Sequence, residues 1–451
     1  MYRFLSKQPP ARRIFISFAL VSFIGSLALS LPMVQTPYSM ATYFDHLFMA
    51  VSMVCVTGLS VVPLSETYNI WGQIIAMILI QIGGLGFISF IGLFYMRSQQ
   101  KLSYSNRAAI QESTSYSQPQ SMKSFLKSVF LITFLLEGIG TFLLSFRFVP
   151  LLGFWDGLFT SLFLSVSAFC NAGFDNLGRS SLIQYQIDPL VILTISFLII
   201  TGGLGFSVWF DLRTNWREKH RFKRLRFHTK VVLLYNLLLL AIGTITTLIT
   251  EYNNPAILGE YDFGNSLLVA FFQSVTVRTA GFSTVDFTQM RPSTIIVLVH
   301  QMFIGGAPGG TAGGIKITTF LVLLAFARSE ILGLPHVNFW KRTISPKTVQ
   351  KSFIILMVYF VALMSSLALL SYFDGDSHRF LYVMMEAVSA LSTVGVSANL
   401  TSSLNHACLT IIMLLMFMGR IGPLTLLISF ADHTPSRKST LKYAKANLLV
   451  G

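Results

Sequence analysis

The chain has 451 residues, 53% hydrophobic and 11% charged, with 33 Lys and Arg against 18 Asp and Glu for a net charge of +15. This composition is far from that of soluble domains. The basic residues fall between long apolar runs, which excludes the nucleic-acid partner that such a charge would otherwise suggest.

Taken in chain order, the apolar runs predict eight spans at about 13–33, 70–96, 124–148, 189–212, 228–252, 294–327, 351–373 and 407–431, each near the roughly 20 residues that cross a hydrocarbon core. The first run is long and lacks a small-residue cleavage site, so it reads as a span and not as a cleaved leader. Three cysteines, Cys55, Cys170 and Cys408, give neither a disulfide framework nor a metal-ligand spacing. Within each pair of spans lies a half-helix, at about 42–55, 156–170, 264–278 and 379–392. These are too short to span and read as re-entrant.

Each half-helix runs into a glycine: Val56-Thr57-Gly58, Asn171-Ala172-Gly173, Thr279-Ala280-Gly281 and Thr393-Val394-Gly395. The glycines stand 115, 108 and 114 residues apart, a period that means a quadruplicated unit. The expected fold is an all-α membrane protein of four tandem helix, half-helix, helix repeats around one central pore. The repeats cover 1–97, 98–213, 214–328 and 329–432, and a cytoplasmic tail covers 433–451. Non-helical backbone survives at membrane depth only where protein or a water-filled cavity covers it, so the four loops need a common axis. There the half-helix C-termini favour a cation, and carbonyls of these twelve residues would replace the hydration shell of K+. Glycine permits the unusual φ/ψ that turns a carbonyl inward and leaves no side chain in the path.

The charges sort by side. Of the basic residues, 26 fall in the N-terminus, 97–127, 211–230, 328–351 and the tail, and Arg217–Arg226 holds six in ten positions. By the positive-inside rule this side is the cytoplasm and holds both termini. The dense cluster is read first as a topology signal that also meets anionic lipid headgroups, and second as a docking surface. Twelve carboxylates map to the other side: Asp45, Glu66, Asp156, Asp175, Asp188, Glu251, Glu260, Asp262, Asp286, Asp374, Asp376 and Glu386. Only Arg147, Arg179, Arg278, Arg291 and Arg379 oppose them. An acidic mouth would concentrate cations, although the same bias also follows from topology alone.

The second helices carry their own glycines. Gly83-Gly84-Leu85-Gly86 and Gly202-Gly203-Leu204-Gly205 read as close helix packing by small residues, not as phosphate loops, because no strand precedes them. Repeat three differs, with six glycines and a proline in Gly305–Gly314. No helix tolerates that sequence, so the helix breaks mid-membrane into a flexible loop below the filter glycines. Gly305, Gly306, Gly309, Gly310, Thr311, Gly313 and Gly314 form a candidate gate. Lys316 follows them, and Arg420 lies at the matching depth of repeat four. Charges at membrane depth are costly and usually functional. Arg420 is expected to face the cavity as a barrier or a latch, with a buried structural ion pair as the alternative, and Lys316 could instead reach the inner interface. Arg278, three residues before Gly281, is expected behind the filter and paired with a carboxylate, for which Glu386 is a guess. Glu137 reads as a hydrogen-bonded structural carboxylate ahead of a proton relay.

The four filter segments, Gly305–Gly314 and Arg420 resemble the Trk/Ktr/HKT superfamily of potassium transporters over nearly the whole chain, and within it the KtrB-type membrane subunits of bacterial Ktr systems. TrkH-type subunits carry an extra N-terminal helical pair, for which a first span at about residue 13 leaves no room. The resemblance implies a four-repeat M1–P–M2 pore, one per protomer of a homodimer in the bacterial cell membrane. It also implies a cytoplasmic ring of nucleotide-binding RCK subunits (KtrA-like) that opens the pore, docking on 211–230, 328–351 and the tail. It places the repeat-three loop and Arg420 at an intramembrane gate. Related plant members with serine at the first filter glycine lean toward sodium, so Gly58 favours potassium. Val56 and Asn171 depart from the threonine seen at Thr279 and Thr393 and make the filter less symmetric. No covalent cofactor or nucleotide site is expected on this chain. The leading reading is channel-like potassium uptake driven by the membrane potential, with a sodium- or proton-coupled symporter as the alternative. Enzyme motifs are lacking.

Overall fold

The computed structural model describes residues 9–86, 122–178, 181–215, 221–375 and 377–430. The tail, the end of the 70–96 span, most of segment 97–127, Arg179, Arg217 and Asp376 lie outside these residues.

The first half comprises α1 (Pro10–Leu29), α2 (Tyr43–Cys55), α3 (Ile70–Leu85), α4 (Met122–Leu152), α5 (Phe154–Cys170), α6 (Pro189–Gly203) and α7 (Phe206–Thr214). The second comprises α8 (Phe227–Glu251), α9 (Phe263–Thr276), α10 (Pro292–Phe303), α11 (Ile317–Ile331), α12 (Pro346–Asp374), α13 (Phe380–Ser392), α14 (His406–Ile421) and α15 (Pro423–Phe430). A two-residue hairpin, β1 (Asn338–Phe339) with β2 (Arg342–Thr343), precedes α12. Its turn residues Trp340 and Lys341 have φ of +46° and +61°, the left-handed pair that a tight hairpin turn requires.

Among the described residues, four helices (α1, α4, α8 and α12) are each long and apolar enough to cross a membrane. Their outer faces carry exposed Phe134, Phe142, Leu237, Ile245, Phe360 and Val361. A surface this apolar and extensive is suited to lipid. The short helices are the reverse: Phe48, Phe163, Phe272 and Met385 are fully buried. The caps fit this layout. Thr42 and Asp45 form a capping box on α2, and Asn69, Asp188, Asp262 and Asn405 cap α3, α6, α9 and α14 with side-chain oxygens. Each satisfies amides that the helix start leaves orphaned.

The eight expected spans need correction. α6 and α7 meet at 91°, and the turn is Gly205 at φ +88°. The last span is interrupted between α14 and α15 at Gly422, φ +91°, and α3 stops before Gly86, φ +79°. The glycines of the second helices are therefore not only packing residues: the last of each set takes a backbone conformation that a side chain would resist. The earlier ones do pack closely. A Cβ on Gly83, Gly202 or Gly419 would stand 2.3, 1.9 or 2.1 Å from the carbonyl of Val54, Phe169 or Leu391, in each case four residues before a filter glycine.

The packing runs in a circle. α1, α4, α8 and α12 each contact the short helix that follows, α2, α5, α9 and α13. α3 then packs on α5, α6 on α9, α10 on α13, and α14 returns to α2. The buried core follows this ring and has two large apolar clusters, one centred on α2–α6 and one on α9–α14.

Candidate ion site

The site is built where the four short helices end. Val56, Asn171, Thr279 and Thr393 have φ of +55°, +57°, +65° and +49°, and two residues on, Gly58, Gly173, Gly281 and Gly395 have +97°, +70°, +85° and +91°. Non-glycine residues pay for left-handed backbone, which the surroundings must enforce. Here the intervening amides enforce it by turning back into the helices. Thr57 N–H donates to Ser52 O (2.9 Å), Ala172 N–H to Ser167 O (2.8 Å), Ala280 N–H to Thr276 O (3.0 Å) and Val394 N–H to Ser389 O (2.8 Å).

With the amides turned away, the carbonyls are left over. Among the described residues no hydrogen bond ends on the carbonyls of Thr57, Ala172, Ala280 or Val394. Each instead stands against the glycine of a neighbouring segment, in strict rotation. A Cβ on Gly58 would come within 2.6 Å of Ala172 O, on Gly173 within 2.5 Å of Ala280 O, on Gly281 within 2.6 Å of Val394 O, and on Gly395 within 2.0 Å of Thr57 O. The four segments thus close on one another in a ring of oxygens with unused acceptor capacity. The hydroxyls of Thr57, Thr279 and Thr393 are buried beside it without a hydrogen-bond partner.

The glycine-rich loop lies against this ring. It starts and ends side by side, with Ile304 and Ile315 bridged and Gly305 N–H donating to Ile315 O (2.9 Å). It is held, not loose: Ala307 N–H donates to Gly203 O (3.0 Å), Thr311 N–H to Gly202 O (3.3 Å), and Phe206 N–H to Gly309 O (2.9 Å). Thr311 Oγ1 lies 3.2 Å from both Phe169 O and the side-chain amide of Asn171. A Cβ on Gly313 would lie 2.0 Å from Thr393 Oγ1. The loop thus touches the second and fourth filter segments.

Arg420 clamps it. The guanidinium donates to Thr311 O, Gly83 O and, at 3.0 Å, Gly84 O. Lys316 Nζ donates to Ala312 O (2.6 Å) and Gly313 O (3.2 Å). Both cations are satisfied by backbone carbonyls. Among the described residues neither has a carboxylate partner.

One expected pairing and the acidic mouth are corrected. Glu386 accepts from Ser397 (2.7 Å) and Thr401, not from Arg278. Arg278 does lie behind the ring, 8% exposed, against a small cavity lined by Asn236, Val275 and Gly306. Glu251 is buried too, accepting from Asn254 (2.6 Å), the Arg291 amide (2.9 Å) and Thr294. Neither glutamate faces the mouth. Asp45, Asp188, Asp262 and Asp286 cap helices, and Asp188 also pairs with Arg147 at 2.7 Å. The carboxylate that does line the mouth, a cavity of about 550 Å³ over the four glycines, is Asp175. Burial raises its pKa, opposed by hydrogen bonds from Ser181 (2.6 Å) and the Leu177 amide (3.0 Å).

Glu137 is hydrogen-bonded, as the sequence reading expects, but its partners carried no sequence signal. Gln81 donates to Glu137 (2.9 Å) and faces Cys170 Sγ at 3.5 Å, and Ser165 donates to Glu137 O (2.7 Å). Glu137 thereby buttresses the helix under the second filter segment, a role that needs three elements in register and leaves no local pattern.

Residues 13–442 match the TrkH family model, described as a cation transport protein. The chain belongs to this family. It is 38% identical over 444 residues to Ktr system potassium uptake protein B of Bacillus subtilis (strain 168), covering 98% of this chain and 97% of that one. It is 35% identical over 436 residues to the potassium/sodium uptake protein NtpJ of Enterococcus hirae, covering 96% and 95%. The crystal structure of the potassium transporter TrkH from Vibrio parahaemolyticus superposes with a TM-score of 0.73 at 17% identity, over 93% of this chain and 84% of that one. The fold is thus that of a TrkH-type membrane transporter. Relatives named for uptake fit a protein that moves ions and is not an enzyme.

Proposed function

We propose that the chain takes up potassium across the bacterial cell membrane through the carbonyl ring. The observation that carries this is the closed rotation of glycines against neighbouring carbonyls, from Gly58 round to Gly395. Unbonded oxygens on one axis can replace a hydration shell, and the C-termini of four short helices add negative potential there. The circular packing supports four M1–P–M2 repeats with pseudo-four-fold symmetry, eight membrane-crossing segments and four re-entrant helices. On this reading Val56–Gly58, Asn171–Gly173, Thr279–Gly281 and Thr393–Gly395 are the filter, Gly305–Gly314 is the gate, and Arg420 and Lys316 hold it shut. Uptake needs no chemical fuel, since 100 mV supplies about 2.3 kcal/mol per charge.

The protein works as a homodimer with both termini cytoplasmic. An RCK-type regulatory ring on the cytoplasmic face opens the gate, and any regulatory nucleotide sits on that ring. Relatives named as parts of a Ktr system support a separate regulatory subunit.

Sodium coupling is a second reading, favoured by the name of the Enterococcus hirae relative. Liposomes holding the purified chain, under a clamped potential, separate the two. Potassium flux that follows the potential alone supports the channel-like reading. Flux that stops without a sodium or proton gradient replaces it with the symporter.

A further inference from the structure

Of the cations around the ring and its loop, Arg420 and Lys316 donate to backbone carbonyls. Arg278, two residues past the end of α9, does not. It is 8% exposed, and its backbone is engaged by Val275 O and by the Asn171 amide. Among the described residues nothing accepts from its guanidinium. Arginine does not give up its charge inside a protein, and a buried charge without a partner is costly.

The corner that Arg278 occupies is also roomier than its counterparts. The equivalent positions hold Cys55, Cys170 and Ser392. A Cβ on Gly84 would stand 2.6 Å from Cys170 Sγ, and one on Gly314 would stand 3.5 Å from Ser392 Cβ. Gly203 follows Gly202 as Gly84 follows Gly83, yet a Cβ there would meet nothing nearer than 3.6 Å. Arg278, Gly203, Asn236 of α8, Val275 and Gly306 line a cavity of about 10 Å³ at this corner. Asn236 is 7% exposed, and its Oδ1 is buried without a hydrogen-bond partner. Its amide group also carries two N–H donors.

We propose that this cavity binds one small monovalent anion, chloride, between the Arg278 guanidinium and the Asn236 amide. The size and the charge select it together. A space of about 10 Å³ holds about one small particle, which rules out phosphate, sulfate and carboxylate-bearing molecules. Water fits but brings no charge, so the guanidinium would stay uncompensated beside a path for cations. The flexible Arg278 side chain adjusts to chloride, which is slightly larger than water. The bound ion would tie the end of α9 and the middle of α8 to Gly306, at the start of the glycine-rich loop. The site rests on burial and charge, so it stands whichever cation the ring moves.

The test uses the full-length chain in detergent, in potassium gluconate, with equilibrium dialysis against radioactive chloride. The expected result is about one chloride per chain, the number the cavity has room for. Sulfate and gluconate should not compete. Arg278→Gln should weaken binding at least about tenfold, the loss of one hydrogen bond from a charged donor. Should that variant fold poorly, Asn236→Asp carries the test. Its carboxylate would take the place of the anion beside Arg278, so chloride binding should be lost while the variant melts without chloride at least as high as the native chain. Folded native protein that retains no chloride would overturn the proposal and leave the cavity to water. Binding that survives in a folded variant of either kind, or that sulfate displaces fully, would put the ion on the basic surface and overturn it as well.

Discussion

Serine in place of Gly58 tests the ring most directly. The backbone there sits at φ +97°, where a residue with a side chain costs about 1–3 kcal/mol. The new Cβ would lie 2.6 Å from Ala172 O and 3.3 Å from Gly173 Cα. A carbon meets a carbonyl oxygen comfortably at about 3.3–3.6 Å, so the Ala172 carbonyl must retreat by somewhat under ~1 Å, and such overpacking costs about 1–3 kcal/mol. A carbonyl displaced that far no longer meets an ion the size of potassium, while a smaller or still-hydrated sodium loses less. If 1.4 kcal/mol of the cost falls on potassium alone, selectivity changes about tenfold. The expected outcome of Gly58→Ser is a potassium-to-sodium flux ratio lowered by about that factor in liposomes under clamped potential. Gly395→Ala, whose Cβ would stand only 2.0 Å from Thr57 O, should be worse in either selectivity or folding. A well-folded Gly58→Ser protein with the native ratio would refute the ring as the source of selectivity.

Other expectations rest on single contacts. Arg420→Ala removes the donor to Thr311, Gly83 and Gly84. Since hydrogen bonds from a charged group contribute about 1.5–3 kcal/mol each, flux without a regulatory partner should rise at least about tenfold, and unchanged flux would mean Arg420 holds nothing shut. Gly202→Ala drives a Cβ to 1.9 Å from Phe169 O and should lower the melting temperature, whereas Gly138→Ala meets nothing within 4 Å and should raise it slightly, a helix-interior glycine costing roughly 0.5–1 kcal/mol. The raised pKa of Asp175 means that it takes up a proton at a higher pH than a free carboxyl. Potassium entry should therefore fall on acidification through that raised value, and Asp175→Asn should flatten the profile. A variant with the native pH dependence would show that Asp175 does not draw cations to the mouth.

The short helices were legible because an apolar run with a glycine stop leaves little choice. Residues 156–170 became Phe154–Cys170, and 379–392 became Phe380–Ser392. The breaks at Gly205 and Gly422 were not legible. A cluster of glycines permits either a close approach or a turn, and here it does both, because Phe169 O and Leu391 O press on the earlier glycines while the later ones turn. The carboxylates misled for a related reason: aspartate serves equally as a helix cap or as a mouth charge, and only tertiary contacts separate Asp262, a cap, from Asp175, a mouth residue. The guessed Arg278–Glu386 pair failed because Thr401 and Ser397, close in sequence to Glu386, reach it first.

Writing four quarters into one chain has a physical consequence that identical subunits cannot match. The oxygen ring needs near-equivalence, and the left-handed residues and glycines supply it at all four corners. A gate needs the opposite, a single element that moves while the rest stay fixed. Only the third quarter carries Gly305–Gly314, and only the fourth supplies Arg420, which reaches back to the first quarter at Gly83 and across to the third at Thr311. A four-fold symmetric channel would place four such arginines in the cavity, and their mutual repulsion would exclude the cation. One arginine bound to neutral carbonyls holds one loop and leaves the potential at the ring to the four helix ends. On the proposed gating, moving that one side chain would couple a cytoplasmic event to the ring, because the loop it holds already touches Asn171 and Thr393.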